Sequence, residues 1–181
     1  MNADALIASL SRFPETLVSL IRGLVDEEVR WKPTPSQWSI LEIVRHLGDE
    51  EVDDFRQRLF MTLEDPKASW PTIDPEGWAK ERQYNEDDLG PALERFAEER
   101  AKSIAMLESA VSGVSGVSGG ALEWDASHQH ASLGEITAGD LLASWTVHDL
   151  LHLRQITKCR YQLIKRHAGS FRSGYAGEWK E

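Results

Sequence analysis

Apolar residues recur along this chain at spacings of three and four, the period of helices with one buried face. Leu6, Leu10, Phe13, Leu17, Leu20 and Leu24 form the first stripe and predict a helix from Asp4 to about Leu24. Pro14 falls inside it and either bends the helix or sits near its regular start, with Ser11 or Arg12 as cap. A second helix is expected from Ser39 to about Leu63. It opens on Ser39-Ile40-Leu41-Glu42, a capping box in which the serine oxygen accepts the Glu42 N–H and the glutamate reaches back to the Ser39 N–H. Trp38 stands where it can staple onto Ile43. A third helix, about Glu86 to Val111, turns Leu89, Leu93, Phe96, Arg100, Ser103 or Ile104, and Leu107 inward, with Pro91 in its first turn. The longest runs from Thr137 to His167, opens on the capping pattern Thr137-Ala138-Gly139-Asp140, and carries Leu141, Trp145, His148, His152, Gln155 and Cys159 on one face.

The stretches between are of unequal length. Asp26 to Gln37 holds Pro33 and Pro35 and reads as a connection anchored by Trp31 and Trp38. Glu64 to Tyr84 holds Pro66, Pro71, Pro75 and Gly77 among Trp70, Trp78 and Tyr84. That composition predicts an irregular but packed connection with a short helix near Glu76 to Tyr84, acting either as a lid or rim over a site or as a cover over the bundle end. Ser112 to Gly120, with its repeated Gly-Val-Ser, reads as a flexible breaker. Ala121 to Ile136 is polar and irregular, and no convincing alternating strand is present. The expected fold is therefore all-α: a four-helix bundle with a long, partly irregular connection between its second and third helices. One domain spans 1–181, with its core at about 4–167 and an irregular tail at 168–181.

Composition narrows the class. Hydrophobic residues make up 41% of the 181, enough for a core, and no run of about 18 apolar residues suggests a membrane span. The N-terminus lacks a basic-then-apolar leader, and Cys159 is the sole cysteine, so a cytoplasmic protein is expected. A net charge of −10 disfavours nucleic acid as a partner, and the basic residues from Arg154 to His167 are ordinary complements to a helix C-terminus. Walker A, dinucleotide-glycine, paired-cysteine and Gly-x-Ser-x-Gly motifs are absent.

The candidate chemistry lies in polar residues on buried stripes. His148 and His152 sit one helical turn apart on one face, so their rings converge on a metal ion, are satisfied core histidines, or lie on a face that meets solvent. His46 occupies a position where an apolar residue is expected, with Glu50 one turn further on. Arg100 either snorkels to water or holds an anion or an acidic partner inside the bundle. Asp149 points about 100° away from His148 and reads as a neighbouring-shell, surface or cap contact. Cys159 reads as core rather than as a thiolate ligand, and His128 and His130 as surface residues or outlying ligands.

Three segments together carry a resemblance: Trp38-Ser39-Ile40-Leu41-Glu42-Ile43-Val44-Arg45-His46-Leu47, Leu133-Gly134-Glu135-Ile136-Thr137, and His148-Asp149-Leu150-Leu151-His152-Leu153-Arg154-Gln155-Ile156. The chain resembles the DinB-like (YfiT-type) metalloenzyme superfamily. That resemblance implies a four-helix bundle, often dimeric, in which His46, His148 and His152 bind one divalent ion. Zinc or nickel suits imidazole best. It also implies a metal-dependent enzyme of open specificity, a small-thiol-dependent transferase or a hydrolase, with a small-molecule substrate that includes a small thiol in the first case. Glu50, Arg100 and Gln155 are then the expected catalytic or orienting residues. The rival expectation is a non-catalytic, stress-linked binding or dimerisation bundle whose metal is structural or absent.

Overall fold

The computed structural model describes residues 1–112 and 123–180. The Gly-Val-Ser breaker lies outside these residues apart from Ser112. The elements are α1 (Ala3–Ile21), α2 (Asp26–Arg30), α3 (Ile40–Glu50), a π-helical turn (Glu51–Phe55), α4 (Arg56–Glu64), α5 (Pro75–Glu81), a 3₁₀ turn (Tyr84–Glu86), α6 (Leu89–Val111), β1 (Ser127–His130), β2 (Gly134–Thr137), α7 (Ala138–Ala168) and a last 3₁₀ turn (Gly174–Ala176). α3, the π turn and α4 run on as one rod. α1 packs on α6 and α7, and the rod packs on the same two helices. The first and second long helices therefore face each other diagonally, which the connection after α1 is long enough to permit. None of these helices is long and apolar enough to cross a membrane.

The caps form as the local sequence requires. Ser39 Oγ accepts the Glu42 N–H at 3.1 Å and Glu42 returns to the Ser39 N–H at 2.7 Å. Thr137 and Asp140 close the same kind of box on α7. Pro14 neither starts nor ends α1, which continues through it. A proline there removes the N–H that would bond to Leu10 O. The buried Arg100 guanidinium supplies the missing donor, Nη1 to Leu10 O at 3.0 Å.

Three features depart from the sequence expectations. The second helix is not uniformly α-helical, because the π turn inserts its extra residue where buried Glu51 and Asp54 both face inward. The first connection contains the short α2. The polar 121–136 segment contains an antiparallel hairpin, with Ser127 opposite Thr137 and His130 opposite Gly134. Four-residue polar strands show no period-2 signal. This pair is held instead by a left-handed Gly134 (φ 78°) and by packing against α4 and α7.

The apolar core is in two parts. One gathers Phe13, Leu17, Leu41, Val44, Phe96 and Ile156, the other Leu10, Leu59, Leu107, Leu142 and Trp145. Between them lies a polar layer. Arg100 donates from Nε to Glu51 at 2.7 Å and binds both Asp149 oxygens at 2.6 and 2.9 Å. Glu51 also accepts from Trp145 Nε1 at 2.9 Å and Ser103 Oγ at 2.8 Å. One guanidinium thus ties together α1, the rod, α6 and α7.

Candidate metal centre

The histidines occupy the same mid-bundle level. His46 comes from α3, His148 and His152 from successive turns of α7. His148 Nε2 lies 3.3 Å from His46 Nε2 and 3.0 Å from His152 Nε2. Two of the outer nitrogens have a polar neighbour. His152 Nδ1 sits 2.9 Å from Gln155 Oε1, and His46 Nδ1 is 3.6 Å from Glu50 Oε1. An amide oxygen can only accept, so the His152 proton is on Nδ1 and its Nε2 lone pair turns inward. The Glu50 carboxyl is too far from His46 Nδ1 for a hydrogen bond, and both atoms are without a hydrogen-bond partner among the described residues. His148 Nε2 either donates a proton across these contacts or, with the proton on Nδ1, joins the other two nitrogens in facing a cation. Metal–nitrogen bonds of about 2.0–2.1 Å span nitrogens about 3.0–3.4 Å apart. The residues present fit one divalent ion, and among the described residues these three form the His/Cys/Asp/Glu group with atoms close enough to share one.

Electrostatics keeps the rings in the ligand state. Burial, reinforced by the neighbouring His152, lowers the His46 pKa to about 3. Burial and then the two other histidines and Arg100 lower His148 to about 2, and burial lowers His152 to about 4 against the opposing Gln155 bond. All three are neutral at pH 7, so no proton competes with a metal.

The centre opens on a cavity of about 600 Å³. His46, His152 and Gln155 line its inner wall. Gln37 and Trp38 line one side, with the Trp38 ring edge-on to His46 at 4.7 Å between centroids. Ile73, Asp74 and Glu76, around the start of α5, line the other. The 64–84 connection is thus a wall of this cavity. Its far end is tied down by Arg82 to Asp49 at 2.5 Å and to Asp53 at 3.0 Å, and by the Tyr84 hydroxyl bound to Asp49.

The sequence-derived candidates separate into three places. Gln155 is at the cavity and holds His152. Glu50 is buried behind His46, away from the cavity lining, and burial followed by the nearby Asp54 raises its pKa to about 9. Arg58 reaches the Asp54 carboxylate at 2.9 Å. Arg100 is only 2% exposed and belongs to the polar layer with Glu51 and Asp149. Asp149 is buried too, so it is neither a surface nor a cap contact. Cys159 lies in the apolar core. His128 stacks on Trp70 at 4.2 Å, and both line a separate groove with His130. Gln37, Ile73, Asp74 and Glu76 were not singled out by periodicity, because none is on a helical stripe. The one local signal was Asp74-Pro75, an N-cap followed by a first-turn proline, and Asp74 does accept the Gly77 N–H.

The shifts fix how the metal-free protein responds to pH. The three histidines are depressed below their unfolded value near 6.5, so the unfolded chain takes up more protons as pH falls, and stability drops from about 6.5 downward. Glu50 is raised from 4.5 to about 9, so the folded state holds the extra proton and stability drops as pH rises through that window. Between 4.5 and 6.5 the three histidines work against three raised carboxyls, Glu50, Asp54 and Asp149 with its pKa near 6, and outweigh them because all three rings stay neutral in the folded state across that window. Urea midpoints of the metal-free protein should therefore peak near pH 6.5 and fall on both sides. A midpoint flat from pH 4.5 to 9 would contradict these buried states.

Comparison with known proteins agrees with this geometry. The family model described as the DinB superfamily matches residues 9–156. A Geobacillus thermodenitrificans (strain NG80-2) protein, a proposed metal-dependent hydrolase, is 26% identical over 103 residues, which are 57% of this chain and 57% of its own. The chain thus matches little more than half the length of that relative. Among solved structures, YfiT from Bacillus subtilis, a proposed metal-dependent hydrolase with an unusual four-helix bundle topology, superposes with a TM-score of 0.74 at 17% identity, over 89% of this chain and 87% of that one.

Proposed function

Since the chain belongs to the DinB superfamily, we propose that it is a metal-dependent hydrolase of small acyl compounds, with His46, His148 and His152 as ligands of one zinc or nickel ion. The observation that carries this is three Nε2 atoms brought together from two helices, with two of their rings, His46 and His152, lining an open cavity. Three protein ligands leave positions free, as catalytic sites do. Such an ion, when bound, acts as a Lewis acid and makes water a nucleophile at neutral pH. The protein's own part is positional. Gln155 fixes the His152 tautomer. Glu50, protonated and sealed behind the ring, steadies His46 and does not meet substrate. Trp38 keeps water from one face of His46. Hydrolysis adds oxygen to the acyl carbon and a proton to the leaving group, so water is the sole co-reactant.

Transfer to a small thiol is the second reading, supported by the same open site. It is weaker because Asp74 and Glu76 line the cavity and no lysine or arginine lines it to receive a thiol's carboxylates. The outer face of α7, with Val147, Leu150 and Leu151 more than half exposed, supports a homodimer.

The test is hydrolysis of small neutral aryl esters and anilides by protein loaded with zinc or with nickel, against the metal-free form and His152→Ala. Turnover should scale with metal content and vanish in the variant. One ion per chain with no turnover of any acyl compound would favour the non-catalytic bundle.

A further inference from the structure

Past the imidazoles, the functional groups of the metal cavity are of one electrostatic kind. Asp74 and Glu76 are carboxylates on its outer wall. Gln37 lines the opposite side, and its buried Oε1 has no hydrogen-bond donor among the described residues. Trp38 adds an indole ring beside it. Ser36 contributes a hydroxyl, and no lysine or arginine is among the lining residues. An aromatic face attracts cations, and so do carboxylates with no basic side chain beside them. The groove around Trp70 contrasts with this: its ionisable lining residues are Arg58, Lys67, His128 and His130, all basic. The two cavities share Ile73 as a wall, so the difference in charge is local to each.

We infer that the metal cavity selects a small substrate bearing a protonated amine, whose ammonium N–H groups meet the Asp74 and Glu76 carboxylates beside the Trp38 ring while its acyl group lies at the histidine wall. This rests on the hydrolase reading and names its substrate class. A cavity of about 600 Å³ accommodates a small molecule of this kind. Asp74 and Glu76 are exposed, so their attraction is screened by salt and works at ordinary surface strength.

Three hydroxamates of similar size separate this inference from the reading beneath it: acetohydroxamate (neutral), glycine hydroxamate (ammonium) and malonate monohydroxamate (carboxylate). Their affinities would be measured by calorimetry on full-length protein loaded with zinc and checked for one ion per chain. Glycine hydroxamate should bind about fivefold tighter than acetohydroxamate, and malonate monohydroxamate weaker by a similar factor. Raising the salt to about 1 M should compress that ranking. Asp74→Asn with Glu76→Gln should abolish it while zinc content and helicity stay unchanged, because asparagine still caps α5. Equal affinities, or a preference for the carboxylate, in zinc-loaded wild type would overturn the amine inference and leave the metal reading standing. Failure to load zinc or nickel at all would overturn both.

Discussion

Alanine at His46, His148 or His152 should take bound metal from about one ion per chain to none detectable, and weaken affinity in competition titrations by well over about 100-fold. The floor comes from the lesser case: removing a residue that only orients a ligand costs about 10–100-fold. Gln155→Ala is that lesser case here, since it frees the His152 ring whose Nδ1 it holds at 2.9 Å. The four variants should therefore fall in two tiers. Plasma mass spectrometry after equal zinc or nickel loading separates them. Retention of the ion in any of the three alanine variants would break the idea of one shared site. Stability supplies an independent sign. In the metal-free protein His148 Nε2 lies within hydrogen-bond reach of His46 Nε2 at 3.3 Å and of His152 Nε2 at 3.0 Å, so a proton on it bridges the rings. Trimming that ring leaves a hole and removes these contacts, so metal-free His148→Ala should melt below the metal-free wild type. Adding ion at about 100 times its dissociation constant should stabilise wild type by about 2.7 kcal/mol and the variant hardly at all.

Arg100→Met should destabilise the fold by about 3–5 kcal/mol without touching a metal ligand. The substitution leaves two buried carboxylates, Glu51 and Asp149, without their cation. It also leaves Leu10 O without a donor, because Pro14 cannot supply one. Arg100→Lys should not restore the loss, since a single ammonium cannot reach Glu51, both Asp149 oxygens and the α1 carbonyl at once. The pH dependence has a definite sign. Burial already raises the Asp149 pKa to about 6 in spite of Arg100, which lowers it. Without Arg100 it rises further, and the folded variant binds a proton that the unfolded chain, near 3.8, does not. The gap between variant and wild type should narrow as pH falls from 7 toward 4.5. Denaturant midpoints at several pH values measure this. A variant as stable as wild type at pH 7 would show that the polar layer is dispensable.

Much of this molecule is legible locally. The Ser39–Glu42 and Thr137–Asp140 boxes are written in four residues each and form as hydrogen bonds. The three- and four-residue periods mark the faces of all four long helices, because a helix meets its core at the same phase turn after turn. The same phase placed His46, His148 and His152 on inward stripes. Other features are decided by residues far apart in the chain. His46 and His148 are 102 positions apart, and only the packing of the rod against α7 brings their nitrogens to 3.3 Å. No period distinguishes an Arg100 that snorkels from one that completes a carbonyl orphaned by Pro14, since the two lie on different helices. The π turn has the composition of any acidic helix, and it forms where Glu51 finds Arg100, Ser103 and Trp145. Gln37 belongs to a connection, and Asp74 and Glu76 to the cap and first turn of the short α5, so their meeting around one cavity depends on where the long helices they join come to rest. The sequence by itself determined the helices, their caps and which faces are buried, because those interactions reach a few residues. The tertiary structure alone decided which buried polar groups meet, because those contacts are set by how the faces dock.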